Sequence, residues 1–227
     1  LFQNGAHDDV RRPNNDGVTP MLIACKNNHL SIVQFLFQNG AKDDVTRPNN
    51  DGWTPMSIAC QEGHLSIVHF LFQNGDDIRR PNNKGLTPMS IACQNDHLNI
   101  VQFLCQNGAK DDVRQPDNKG ATPMLIACYY DNLSIVQFLF QNGARDDIRR
   151  PNNNGTTPTN RACFKGHLNI VQFLFRNGAK DDIRRPNNPG QTPMLCACEM
   201  GHLSVVKFLF QNGAKDDVRR PNNDGVT

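Results

Sequence analysis

Gly17-Val18-Thr19-Pro20-Met21-Leu22-Ile23-Ala24-Cys25 leads through Lys26-Asn27-Asn28-His29 into Leu30-Ser31-Ile32-Val33-Gln34-Phe35-Leu36-Phe37 and closes on Asn39-Gly40. Asp16-Gly17 makes a turn, the Thr19 hydroxyl is placed to cap a helix, and Pro20 falls at the first helical position, where its missing N–H is not needed. Met21, Ile23, Ala24 and Cys25 then predict the apolar face of a short first helix ending near Asn28. A second helix is expected from about Ser31 to Asn39; it is apolar around most of its girth and must be buried on more than one side. Gly40 stops it as a C-terminal cap. The following Lys42-Asp43-Asp44-Val45-Thr46-Arg47-Pro48-Asn49-Asn50 reads as a polar, extended or hairpin-like connector. Both helices are shorter than the roughly 12–15 residues needed for marginal helicity alone, so packing between units must hold them.

The same unit recurs along the chain. Thr19-Pro20, Thr54-Pro55, Thr87-Pro88, Thr122-Pro123, Thr157-Pro158 and Thr192-Pro193 are spaced by 35, 33, 35, 35 and 35 residues, a period that signals an all-α solenoid of stacked helix pairs. Full units are expected at 16–50, 51–83, 84–118, 119–153, 154–188 and 189–223, with partial units at 1–15 and 224–227. Each first helix ends on Asn28, Gly63, Asp96, Asp131, Gly166 or Gly201, the residue types that best tolerate a left-handed backbone. The array opens in mid-unit at Leu1-Phe2-Gln3-Asn4-Gly5 and closes on Asp224-Gly225-Val226-Thr227, which reads as a piece of a longer array.

The shared pattern, Gly-x-Thr-Pro-Met-x-x-Ala-Cys-x-x-Gly-His-Leu-x-Ile-Val-x-Phe-Leu-x-x-Asn-Gly-Ala, resembles the ankyrin repeat over essentially the whole chain. The resemblance implies helix-turn-helix units joined by hairpin-like loops, with a concave groove that binds other proteins. Two departures stand out. The family's Thr-Pro-Leu-His histidine is replaced by Leu22, Ser57, Ser90, Leu125, Asn160 or Leu195, so the Thr-His bonding that rigidifies the helix start is absent and a looser turn is expected. The connector is two residues longer than the family form except at Gly75-Asp76-Asp77-Ile78, where a notch in the row of hairpin tips is expected.

Bulk properties exclude several classes. A formal net charge of +2 gives no global field to gather nucleic acid or anionic lipid. No run approaches the roughly 18 apolar residues of a membrane span. The chain holds 8 cysteines; six share one slot (Cys25, Cys60, Cys93, Cys128, Cys163, Cys198) and read as reduced, buried, small hydrophobes, which suits an intracellular, cytoplasmic or nuclear setting. Five of these stand four residues before a histidine, but two ligands per site are too few for a closed zinc centre; the resemblance instead implies that the histidines brace the turn between helices. No cofactor, small-molecule substrate or enzymatic role is expected, because Cys, His and Asp-Asp recur in every unit, whereas an active site is one unique constellation. Arg11-Arg12, Arg79-Arg80, Arg149-Arg150, Arg184-Arg185 and Arg219-Arg220 lie beside Asp pairs and read as mutually neutralising; a ladder for an acidic partner is the competing reading.

Comparison among the six units separates constant slots from variable ones. Variation falls before the first helix (Asp16 and Val18, Asp51 and Trp53, Lys84 and Leu86, Lys119 and Ala121, Asn154 and Thr156, Pro189 and Gln191) and after Ala-Cys (Lys26-Asn27, Gln61-Glu62, Gln94-Asn95, Tyr129-Tyr130, Phe164-Lys165, Glu199-Met200). In ankyrin repeats those slots face the concave groove. Of 13 Phe only Phe164 lies outside the second-helix runs, and the single Trp and both Tyr also occupy variable slots. Trp53, Leu86, Tyr129, Tyr130, Phe164 and Met200, with Lys84 and Lys119, are therefore the candidate partner-binding residues; the alternative is that some merely pack over the preceding helix. Arg161 falls on a core slot and must turn outward or find a partner, which makes the fifth unit the expected weakest. The expected function is a non-enzymatic scaffold that binds another protein. Competing readings are a spacer segment of a long elastic array and the ankyrin region of a larger multidomain protein.

Overall fold

The computed structural model describes residues 10–226; most of the partial unit at 1–15, with Leu1-Phe2-Gln3-Asn4-Gly5, and Thr227 lie outside the described residues. Those described form two compact bodies that meet in sequence between Asp112 and Val113. Every regular element is helical. The N-terminal body holds α1 (Pro20–Lys26), α2 (Leu30–Gln38), α3 (Pro55–Glu62), α4 (Leu65–Gln73), α5 (Pro88–Gln94) and α6 (Leu98–Gln106). The C-terminal body holds α7 (Pro123–Tyr129), α8 (Leu133–Gln141), α9 (Pro158–Lys165), α10 (Leu168–Arg176), α11 (Pro193–Glu199) and α12 (Leu203–Gln211).

Helix starts follow the Thr-Pro signal. Each capping threonine accepts a hydrogen bond from the backbone N–H three residues on, as Thr19 does from Leu22 at 3.2 Å. The turn expected to be looser is reinforced in two repeats. Ser57 returns a bond to the Thr54 N–H at 2.8 Å and Asn160 one to the Thr157 N–H at 3.0 Å, so each closes a capping box in the slot the family gives to histidine. Helix ends also match the reading: Asn28, Asp96 and Asp131 adopt φ of 60°, 59° and 67°. The second helices begin and end one residue earlier than expected.

Within each body the helix pairs pack in series. First helices contact first helices (α1 with α3, α3 with α5; α7 with α9, α9 with α11), and second helices do the same (α2 with α4, α4 with α6; α8 with α10, α10 with α12). Met56, Met89, Met124, Ile67, Leu71, Ile100, Leu104, Ile135, Leu139 and Ile170 are fully buried between them. Phe37 meets Phe70 edge-to-face at 5.5 Å, and Phe72–Phe103, Phe140–Phe173 and Phe175–Phe208 repeat the contact at 5.5–5.6 Å. Cys25, Cys60, Cys93, Cys128 and Cys163 are buried as expected. Cys198, in the same slot, is exposed, because that slot is sealed by the following helix pair and none follows α11 and α12 among the described residues.

The connectors are not the extended or hairpin-like segments expected, although their Asp and Arg charges do neutralise one another. Lys42–Val45, Lys110–Arg114, Arg145–Arg149, Lys180–Arg184 and Lys215–Arg219 coil into single 3₁₀ turns. This buries the second aspartate of each pair: Asp44, Asp112, Asp147, Asp182 and Asp217. Each then takes an arginine from the preceding repeat: Arg11 on Asp44, Arg79 on Asp112, Arg114 on Asp147, Arg149 on Asp182 and Arg184 on Asp217, at 3.0–3.8 Å. Burial raises Asp112, Asp147 and Asp182 above the ordinary carboxylate range, and these guanidiniums pull them back. The forward-reaching arginines thus join repeats while their side chains stay close to half exposed.

The shortened connector produces no notch at the tips. Asn83 N–H still bonds the Asp51 carbonyl at 3.2 Å, as Asn50 bonds Asp16 at 3.0 Å. The two missing residues come out of the 3₁₀ turn instead. Asp76 follows directly on Gly75, donates its N–H to the Leu71 carbonyl as Ala41 does to Leu36, and so occupies the slot held elsewhere by buried Ala41, Ala109, Ala144, Ala179 and Ala214. Thr46 stands where the other repeats carry the forward-reaching arginine, and the aspartate it would meet, Asp77, is exposed.

Candidate functional site

Two sets of bonds hold the backbone of the variable slots. At the tips, Asn49 Oδ1 accepts from the N–H groups of Asp51 and Trp53 at 3.1 and 2.9 Å, and the Asn49 N–H bonds the Trp53 carbonyl at 2.9 Å. Asn82 does the same for Lys84 and Leu86, and Asp117 for Lys119 and Ala121. Such Asx turns fix the chain locally without secondary structure.

The second set corrects the role expected of the histidines. They reach across to the preceding repeat rather than bracing their own turn. His64 Nε2 donates to the Lys26 carbonyl and His97 Nε2 to the Gln61 carbonyl, both at 3.0 Å, in the N-terminal body. In the C-terminal body His167 Nε2 holds the Tyr129 carbonyl at 3.0 Å and His202 Nε2 holds the Phe164 carbonyl at 3.1 Å. A carbonyl only accepts, so the ring proton sits on Nε2. Each grip lands on the first residue of a variable pair, at the C-terminal end of a first helix. The histidines of the Cys–His pairs thus have a structural use, and burial pushes the Cys60 and Cys93 thiols beside them far up from their ordinary range.

In the N-terminal body Trp53 and Leu86 are half-buried and Lys84 is exposed. In the C-terminal body Tyr130 and Met200 are exposed by 46% and 44%, Lys119 is exposed, and Tyr129 and Phe164 are half-buried. Tyr129 packs edge-to-face on Tyr130 at 4.9 Å, and its ring carries the Arg161 guanidinium at 5.4 Å and the Lys165 ammonium at 4.5 Å. Arg161 thus solves its core-slot problem on an aromatic face. Reading the sequence slot by slot missed this cluster, although Tyr129-Tyr130 and Arg161 were each visible as departures. No group of three or more His, Cys, Asp or Glu among the described residues is arranged to hold a metal ion, and no helix is long and apolar enough to cross a membrane.

Short helix pairs with Thr-Pro caps, stacked in series and joined through tip-to-tip bonds, define an α-helical repeat protein of the solenoid class. The family model described as "Ankyrin repeats (3 copies)" matches residues 1–82, 75–150 and 144–220, and the chain belongs to the ankyrin-repeat family. No curated protein matches it.

Proposed function

We propose that this chain is a non-enzymatic scaffold that binds another protein through the groove face of its first helices and hairpin tips. Ankyrin repeats are in general protein–protein interaction modules. The observation that carries the reading here is the division of labour within each repeat. The fully buried core is built largely of residues common to the repeats, while Trp53, Leu86, Tyr129 and Phe164 stand on pinned backbone with half-exposed side chains and Tyr130 and Met200 beside them are exposed. A surface ordered in advance loses little conformational entropy on association. Trp53, Leu86 and Lys84 in one body, and Tyr129, Tyr130, Phe164, Met200 and Lys119 in the other, supply the recognition side chains. Thiols kept free and mostly sealed in the core support a reducing compartment, cytoplasmic or nuclear. Pull-down with the chain and with Trp53→Ala and Tyr130→Ala tests the assignment: captured partners are lost with the variants while their thermal melts stay close to the parent's. Capture unaffected by both substitutions refutes it.

A further inference from the structure

In the C-terminal body one place breaks the repetition on several counts at once. Tyr129 and Tyr130 replace the Lys, Asn, Gln and Glu found after Ala-Cys in the first three repeats. On the neighbouring helix α9, Arg161 replaces the isoleucine of Ile23, Ile58, Ile91 and Ile126, and Phe164-Lys165 follows one turn later. Arg161 and Lys165 are spaced i and i+4, so two like charges share one helix face, an arrangement that is destabilising in itself. Both lie over the Tyr129 ring, and neither forms an ion pair with a carboxylate among the described residues. Of the neighbouring acids, Asp131 Oδ1 lies 3.5 Å from His167 Nδ1, and Glu199 Oε2 accepts from Gln191 Nε2 at 3.5 Å. The ladder arginines differ in this respect, since each forward-reaching one already holds a buried aspartate.

We propose that Tyr129, Arg161 and Lys165 form a seat for a carboxylate side chain, Asp or Glu, on the protein segment bound in the groove. An acid between the two cations removes their repulsion and accepts charge-assisted hydrogen bonds from the planar guanidinium. The Tyr129 face limits the water that competes for those bonds, and the exposed Tyr130 ring beside it gives an apolar neighbour of that acid its contact. The inference rests on the groove reading above and adds the chemistry of the partner.

The test is a selection of random short peptides on the immobilised full chain, with winners titrated against variants. Groove binders, identified by loss of binding to Tyr130→Ala, are expected to carry an Asp or Glu. Their affinity falls about tenfold to a hundredfold with Arg161→Ile or Lys165→Gln, the range for a lost hydrogen bond to a charged group. Arg161→Ile restores the residue of four other repeats, so it melts higher than the parent while binding less; Lys165→Gln, at the last helical position, carries the comparison if Arg161→Ile does not fold. Lys165→Glu regains affinity for a peptide whose acid is changed to Lys. Groove binders without acidic residues, or with unchanged affinity for both cation variants, overturn the seat and leave the groove reading standing. A selection that yields nothing sensitive to Tyr130→Ala overturns both.

Discussion

Asp76→Ala is expected to stabilise the protein, and more so at high pH. Asp76 is 6% exposed in a slot where five other repeats bury alanine completely. Its Oδ1 accepts from the Asp77 N–H at 2.8 Å, while Oδ2 is buried without a hydrogen bond. Desolvation raises its pKa from 3.8 to about 7; the Asp77 charge adds to the rise, and the Asp77 and Met56 N–H groups and the Arg80 charge oppose it. Between those two values the folded chain keeps a proton that the unfolded chain has released, so stability falls as pH rises. At about 1.4 kcal/mol per unit, the cost of the acid is about 2 kcal/mol at pH 5 and about 4 kcal/mol at pH 8. Alanine removes that cost and forfeits one hydrogen bond worth about 1 kcal/mol. The net gain is therefore about 3 kcal/mol at pH 8 and about 1 kcal/mol or less at pH 5. Urea denaturation followed by circular dichroism at both pH values measures it. Equal gains at pH 5 and pH 8, or destabilisation at pH 8, refute the burial argument.

Arg149→Ala removes the hydrogen bonds to buried Asp182 from the preceding repeat, leaving Arg185 at 3.9 Å, and should destabilise by about 1–3 kcal/mol in urea denaturation, the range for a lost hydrogen bond to a charged group. Leu139→Ala, at a site with no exposure, should cost about 2–5 kcal/mol by the same assay. Thiol labelling of the native chain, read by mass spectrometry, should modify exposed Cys198 first and half-buried Cys105 next. Cys25, Cys60, Cys93, Cys128, Cys163 and Cys196 should stay protected, since burial raises every one of these thiols, Cys196 to about 11. Hydrogen exchange should find α9 less protected than α7, because Thr159 fills a methionine slot with a buried hydroxyl that has no hydrogen-bond partner and Arg161 fills an isoleucine slot.

Helix starts and stops were legible because capping is local chemistry: Thr19-Pro20 and Asn28 declare their backbone states without any neighbour. The repeat made the stacking legible as well, since helices too short to stand alone and apolar on several sides must cover one another. What escaped the sequence was chemistry between repeats. An Asp-Asp beside an Arg-Arg has the same composition whether its charges meet in solvent or across a junction, and only the 3₁₀ turn decides that Asp147 goes inward to meet Arg114. His167 carries no mark of whether it serves its own turn or the Tyr129 carbonyl of the preceding repeat. Asp76 looked like one of a solvated pair, yet the chain leaves α4 at the same place as in every repeat, so the residue after Gly75 must fill the buried slot. Cys198 shows the converse: its identity matches Cys163, and its exposure depends on what stacks beyond it. At the candidate site, variability singled out Tyr129 and Tyr130 together, but half-burial of Tyr129 beneath Arg161 and Lys165 arises from the packing of α7 on α9.

The claim that the variable residues on the first helices and tips meet a protein partner is tested most directly by oxidative footprinting of the chain, free and saturated with a captured partner. Trp53, Tyr130 and Met200 should lose reactivity on binding while the second-helix phenylalanines Phe35 and Phe210 keep theirs. Unchanged oxidation of Trp53, Tyr130 and Met200, with protection on the second helices instead, would contradict the account.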